Sequence, residues 1–112
     1  MSKSLHDNIE VIESGYEFLL AYAAQGRESD AGSEARTILT GMAEAAGNIG
    51  TELQGSAGFS AVVTDDAGKA GAALALVLGQ EKISSELVDN LNASIHLRAL
   101  LTDLFLLSET GV

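Results

Sequence analysis

An all-α domain is the fold this sequence predicts, on three observations. Apolar residues recur at helical spacing, proline is absent, and a stretch near position 70 is almost free of charge. Without proline no helix interior loses a backbone donor or suffers a ring clash, so breaks must come from glycine and polar clusters.

The first helix is expected over residues 5–25. Leu5, Ile9, Ile12, Tyr16, Leu19 and Ala23 recur at i, i+3 and i+4. At about 100° per residue, Val11, Phe18 and Tyr22 open a second patch, and apolar or small residues cover roughly 200° of the circumference. Ser4 is a suitable N-cap and Gly26 a suitable stop. Beside these faces His6, Glu10, Glu13 and Glu17 form one narrow polar strip.

The second helix is expected over 34–54, after the small-residue loop Arg27 to Gly32. Ala35, Ile38, Leu39, Met42, Ala46, Ile49 and Leu53 share its inner face, and Gly55 ends it. Gly41, Gly47 and Gly50 within it each cost roughly 1 kcal/mol relative to alanine. Close approach of a neighbouring backbone is the favoured reason.

Residues 56–66 are the least defined. Phe59, Val62 and Val63 suit a short strand, an apolar plug or an early helical turn. Thr64 or Asp65 would cap a third helix over 66–79, in which Lys69 is the one charge after the Asp65-Asp66 pair. A helix apolar nearly all round is a buried one, in a central position or at a subunit interface. The fourth helix, 85–108, has the clearest entry. Ser84 caps it, Ile83 and Val88 suit a hydrophobic staple, and Glu86 sits at the positive end of the helix dipole. Leu87, Leu91 and Ile95 read as inward, with Asp89, Asn92 and His96 outward.

These elements assemble into a single helical domain of residues 1–112, an antiparallel four-helix bundle. Its apolar arcs exceed what one short bundle would hide. A homodimer or higher symmetric assembly is therefore expected, with the third and fourth helices supplying much of the contact.

Composition excludes several function classes. With no cysteine, thiolate catalysis, iron–sulfur clusters and Cys-type zinc sites are ruled out. Sixteen acidic residues against six basic ones give a net charge of −10. That field repels nucleic-acid phosphates and anionic membrane surfaces, and suits a basic protein partner. The uncharged run Ala70 to Gly79 is about half the roughly 20 residues a membrane span needs. The N-terminal MSKSLHDNIE has no apolar h-region, so a soluble cytoplasmic protein is expected.

Of the chemical candidates, His6, Glu10, Glu13 and Glu17 are the most suggestive. Carboxylates at i, i+3 and i+7 beside an imidazole are a donor set for a divalent metal, provided a second helix contributes. The plainer reading is a solvated ridge, since this is the one polar face the first helix has. No Glu-x-x-His motif occurs, so a ferritin-type di-iron centre is not expected. Glu44, Glu52, Asp89 and Asp103 read as isolated carboxylates. Asp89, Asn92 and His96 read as an exposed polar face, and the AGKAG segment lacks phosphate-loop spacing. No catalytic residue is assigned, and no cofactor is predicted beyond the metal alternative. The sequence thus points to a non-enzymatic, acidic interaction or accessory protein acting as a homo-oligomer. The alternative is a carboxylate-lined bundle that binds a metal or small ligand at a subunit interface.

Overall fold

Leu5, Ile9, Ile12 and Leu19 all point into the core, as the spacing of the first helix requires. The computed structural model describes residues 2–111, which form five α-helices and, among the described residues, no strand. They are α1 (Lys3–Ala23), α2 (Ala35–Leu53), α3 (Phe59–Leu78), α4 (Ser85–Ala93) and α5 (Ile95–Thr110). None of them is long and apolar enough to cross a membrane.

Side-chain contacts fix the directions. Ser4 reaches Glu52 and Asn8 meets Asn48, so α1 and α2 run antiparallel. Arg36 at the start of α2 reaches the carbonyl of Leu78 at the end of α3, so α2 and α3 do likewise. Around the core, α1 packs on α2 and α4, and α3 packs on α2 and α5.

Several boundaries differ from the sequence reading. Ser2 caps α1, its Oγ accepting from the Leu5 N–H at 3.1 Å; Ser4 lies inside the helix. Residues 59–66 are helical, and Gly58, at φ +67°, turns the chain into α3. Neither Thr64 nor Asp65 caps α3: the Thr64 hydroxyl donates to Ser60 O within the helix, and Asp65 pairs with Lys69 at 3.0 Å.

The fourth predicted helix is two. Ser94 adopts an extended conformation, φ −60° and ψ 129°, and its side chain accepts from the His96 N–H as α5 begins. This kink turns the apolar face: Val88, Leu91 and Asn92 are buried, while Ile95 is 73% exposed. The Ser84 cap stands as expected, with Leu87 N–H donating to its Oγ at 3.0 Å. Ile83 and Val88 are both fully buried, as a staple requires.

The accessible surface is 6064 Å², close to the roughly 5,800 Å² expected for a folded monomer of this mass. That area is ordinary for one folded chain, and α3 contributes apolar side chains to it. This helix is not central: Ala72, Ala75 and Leu76 face outward, Leu76 being 70% exposed.

Candidate functional site

The acidic strip of α1 lies where a solvated ridge would. His6, Glu10 and Glu17 are exposed and Glu13 is half-buried. Among the described residues, no three His, Asp or Glu side chains converge as a metal would need. Asp89 and His96 are exposed, whereas Asn92 points inward and donates to the Leu19 carbonyl at 3.1 Å. That triad is therefore not one face.

A shallow cleft of about 590 Å³ runs between α2 and α3. Ala43, Gly47, Gly50 and Thr51 line one wall, and Thr64, Gly68, Gly71 and Ala75 line the other. No charged residue contributes to it, although 20% of the chain is charged. A Cβ placed on Gly47, Gly50, Gly68 or Gly71 would meet nothing within 4 Å. The close backbone approach expected for Gly47 and Gly50 is thus absent among the described residues, and Gly41 makes only an ordinary contact, 3.9 Å to Val11. The glycines recur at i, i+3 on both helices, a signal visible in the sequence once the two helices are known to be neighbours.

Gly15 behaves differently. Its hypothetical Cβ would stand 2.5 Å from Met42 Cγ and 2.6 Å from Sδ, so any side chain there would force the buried Met42 to shift.

At one end of the molecule, the loops that follow α1 and α3 are joined by a polar network. Asp30 accepts from the Ile83 N–H at 3.0 Å and from Arg36 Nε at 3.1 Å. Arg36 also donates to the carbonyls of Leu78 and Gln80, placing a cation on the negative end of α3. The Ile83 N–H and then the Arg36 guanidinium hold the Asp30 carboxyl below its ordinary range. Ser85 Oγ donates to Tyr22 O and accepts from the Arg27 N–H. The Arg27 guanidinium lies 5.7 Å from the centre of the Tyr22 ring. These groups are saturated by one another, and their role is to fasten connectors.

Two of the carboxylates read as isolated are perturbed. Glu52 accepts from the Ser2 and Ser4 hydroxyls, which lower its pKa. Asp103 is buried on α5, and its Oδ2 has no hydrogen-bond partner among the described residues. Burial first, and then Asp66, push the Asp103 carboxyl up to about 7. Sequence spacing gave no sign of this burial, because it depends on how α3 and α5 are registered.

Comparison with known proteins returned no matching family model, curated protein or solved structure.

Proposed function

We propose that the chain is a non-enzymatic interaction or accessory protein that acts as a homo-oligomer, a two-fold dimer closed through the α2–α3 cleft. The supporting observation is the set of four helix-interior glycines open to that cleft. Relative to alanine they cost roughly 4 kcal/mol together, a large part of the 5–15 kcal/mol by which a domain is typically stable. Nothing in the protomer uses the space they leave. A second copy would, because glycine lets two helix backbones approach closely.

Charge favours the same face. Two copies at −10 each repel, so self-association needs an uncharged contact, and the cleft is one. Leu76, next to Ala75 on α3 and exposed, adds a large apolar side chain to the same helix. The exposed acidic ridge of α1 lies on another helix and would stay available to a basic partner. Salt separates the two kinds of contact: it should strengthen self-association by screening repulsion and weaken binding to a basic protein.

The test is sedimentation velocity on the wild type and on Gly71→Leu, with helicity checked by circular dichroism. The expected result is a dimeric wild type and a monomeric, equally helical variant. A Gly71→Leu protein that stays dimeric would remove the cleft from the account.

The alternative, a metal bound at a subunit interface, rests on the exposure of His6, Glu10 and Glu17 to a second copy. Titration calorimetry with Mn(II), Fe(II), Zn(II) and Ca(II) addresses it. Saturable heat lost in the Glu10→Ala, Glu13→Ala double variant would support that reading.

A further inference from the structure

We propose that the groove where the start of α3 meets the end of α5 receives a cationic amphipathic helix of a partner protein. Ala57, Phe59 and Ser60 line one side of it and Leu106, Leu107 and Thr110 the other, around a space of about 420 Å³. Among the described residues, eight large apolar side chains are exposed, and Phe59, Val62, Phe105 and Leu106 are half of them. Val62 follows Phe59 by one helical turn, and Phe105 adjoins Leu106. Single exposed apolar residues are ordinary, whereas a gathered set of them marks a contact surface.

Charge selects the occupant. On α3, Asp65 and Asp66 precede the first cation, Lys69, which Asp65 holds at 3.0 Å. After Arg98, α5 carries Asp103 and Glu109 and no lysine or arginine. Glu109 lies in the last turn of α5, where no basic side chain offsets the negative end of the helix dipole. Lysine or arginine side chains from a partner would meet that end and Glu109 favourably. A second copy would bring the same carboxylates against them, on a chain of net charge −10, so it is the wrong occupant.

The lining suits a helix better than a small molecule. Its polar side chains are Ser60 and Thr110, and the Thr110 hydroxyl already donates to the Leu106 carbonyl at 2.9 Å. A small ligand needs convergent polar groups to orient it. A helix needs only an apolar stripe, with anchors at i, i+3, i+4 and i+7, and cations beside it. This inference rests on the interaction reading above, and it places the basic partner on α3 and α5 instead of the acidic ridge of α1.

The probe is a labelled synthetic peptide of about 18 residues, with leucine on one helical face and lysine on the other. Fluorescence anisotropy follows its binding to the full chain, and amide chemical shifts locate the contact. Saturable binding weakened by salt is expected, with shifts centred on residues 57–62 and 105–110. Leu106→Ser should weaken binding about tenfold or more, and Glu109→Gln by up to about fivefold. Gly71→Leu, altered only in the α2–α3 cleft, should bind as wild type does, so failure of the dimer and failure of this site are read separately. No saturable binding, equal binding of a peptide whose leucines are scattered round the helix, or equal binding of a glutamate-for-lysine peptide would each overturn the proposal. So would shifts confined to α1, or a Leu106→Ser chain that is monomeric where wild type is dimeric, since a second copy would then occupy the face. If Leu106→Ser loses helicity, Phe59→Ser takes its place, and an unmoved affinity there overturns the site.

Discussion

The Tyr22 hydroxyl donates to the Ile83 carbonyl at 2.5 Å across 61 positions of sequence. The Ser29 carbonyl oxygen lies 3.2 Å from the same hydroxyl and can only share its single proton, so one phenol near the end of α1 touches both loops at that end of the molecule. Ile83 is itself fully buried, so its carbonyl has no solvent to replace the bond. Tyr22→Phe keeps the ring and its stacking on Phe18, whose centroid is 6.2 Å away, and removes only the donor. It should cost about 1–2 kcal/mol in urea unfolding, the penalty of an orphaned buried carbonyl. A change within error would show that the bond adds nothing to stability.

Stability should peak under mildly acidic conditions. Asp30 and Glu52 have lowered pKa values in the folded state. Their contribution is present above the unfolded value of about 4 and is lost as pH falls through the folded value. Asp103 is raised to about 7, so its contribution is present below the unfolded value and is lost as pH rises towards about 7. Thermal unfolding followed by circular dichroism should give the highest Tm between about pH 4 and pH 6. Asp103→Asn should abolish the decline towards neutrality and leave the acid limb, while Asp30→Asn should flatten part of the acid limb. A wild-type maximum above neutrality would contradict these assignments.

Gly15 is where helix propensity and packing oppose each other. Alanine would gain up to about 1 kcal/mol in helix propensity, yet its Cβ would meet Met42 Cγ, and Met42 is fully buried. Overpacking of this kind typically costs about 1–3 kcal/mol, so Gly15→Ala should be net destabilising. In a Met42→Ala background the same substitution should become neutral or stabilising. Denaturant unfolding of the four proteins in the cycle reads the sign reversal, and its absence would mean the contact relaxes freely.

Gly47 and Gly50 should give the opposite pattern. With open space at both, Gly47→Ala and Gly50→Ala should each raise protomer stability by about 0.5–1 kcal/mol. If the cleft receives a second copy, the same methyl groups should weaken association. The two effects are separated by unfolding at several protein concentrations: stability at high dilution rises, and its concentration dependence shrinks. Alanine variants that stabilise equally at every concentration would argue against a shared cleft.

The helical class was legible because Leu5, Ile9, Ile12 and Leu19, and likewise Leu39, Met42, Ala46 and Ile49, follow a period set by the helix alone. The Ser84 cap was legible for the same reason, since a cap acts over three residues. The start of α3 was not. Gly58 turns the chain into the helix through backbone conformation, and Thr64 and Asp65 offered a more familiar signal further on. The break at Ser94 was hidden because Leu87, Leu91 and Ile95 keep helical spacing across it, and no glycine or proline marks it. Asn92 read as an outward residue and Asp103 as an isolated carboxylate. The Leu19 carbonyl that Asn92 meets and the packing that buries Asp103 come from other helices, and local spacing carries no information about them. The α2–α3 cleft was half legible: its glycines on α2 were noticed, but their empty surroundings required the fold.

Light scattering of the wild-type chain across a dilution series is the most direct test of the central claim, that the open glycine cleft is a contact between copies. The predicted result is a mass of twice 11.5 kDa at high concentration, falling towards the single-chain value on dilution and held up by added salt. A mass of 11.5 kDa at every concentration and ionic strength would contradict it.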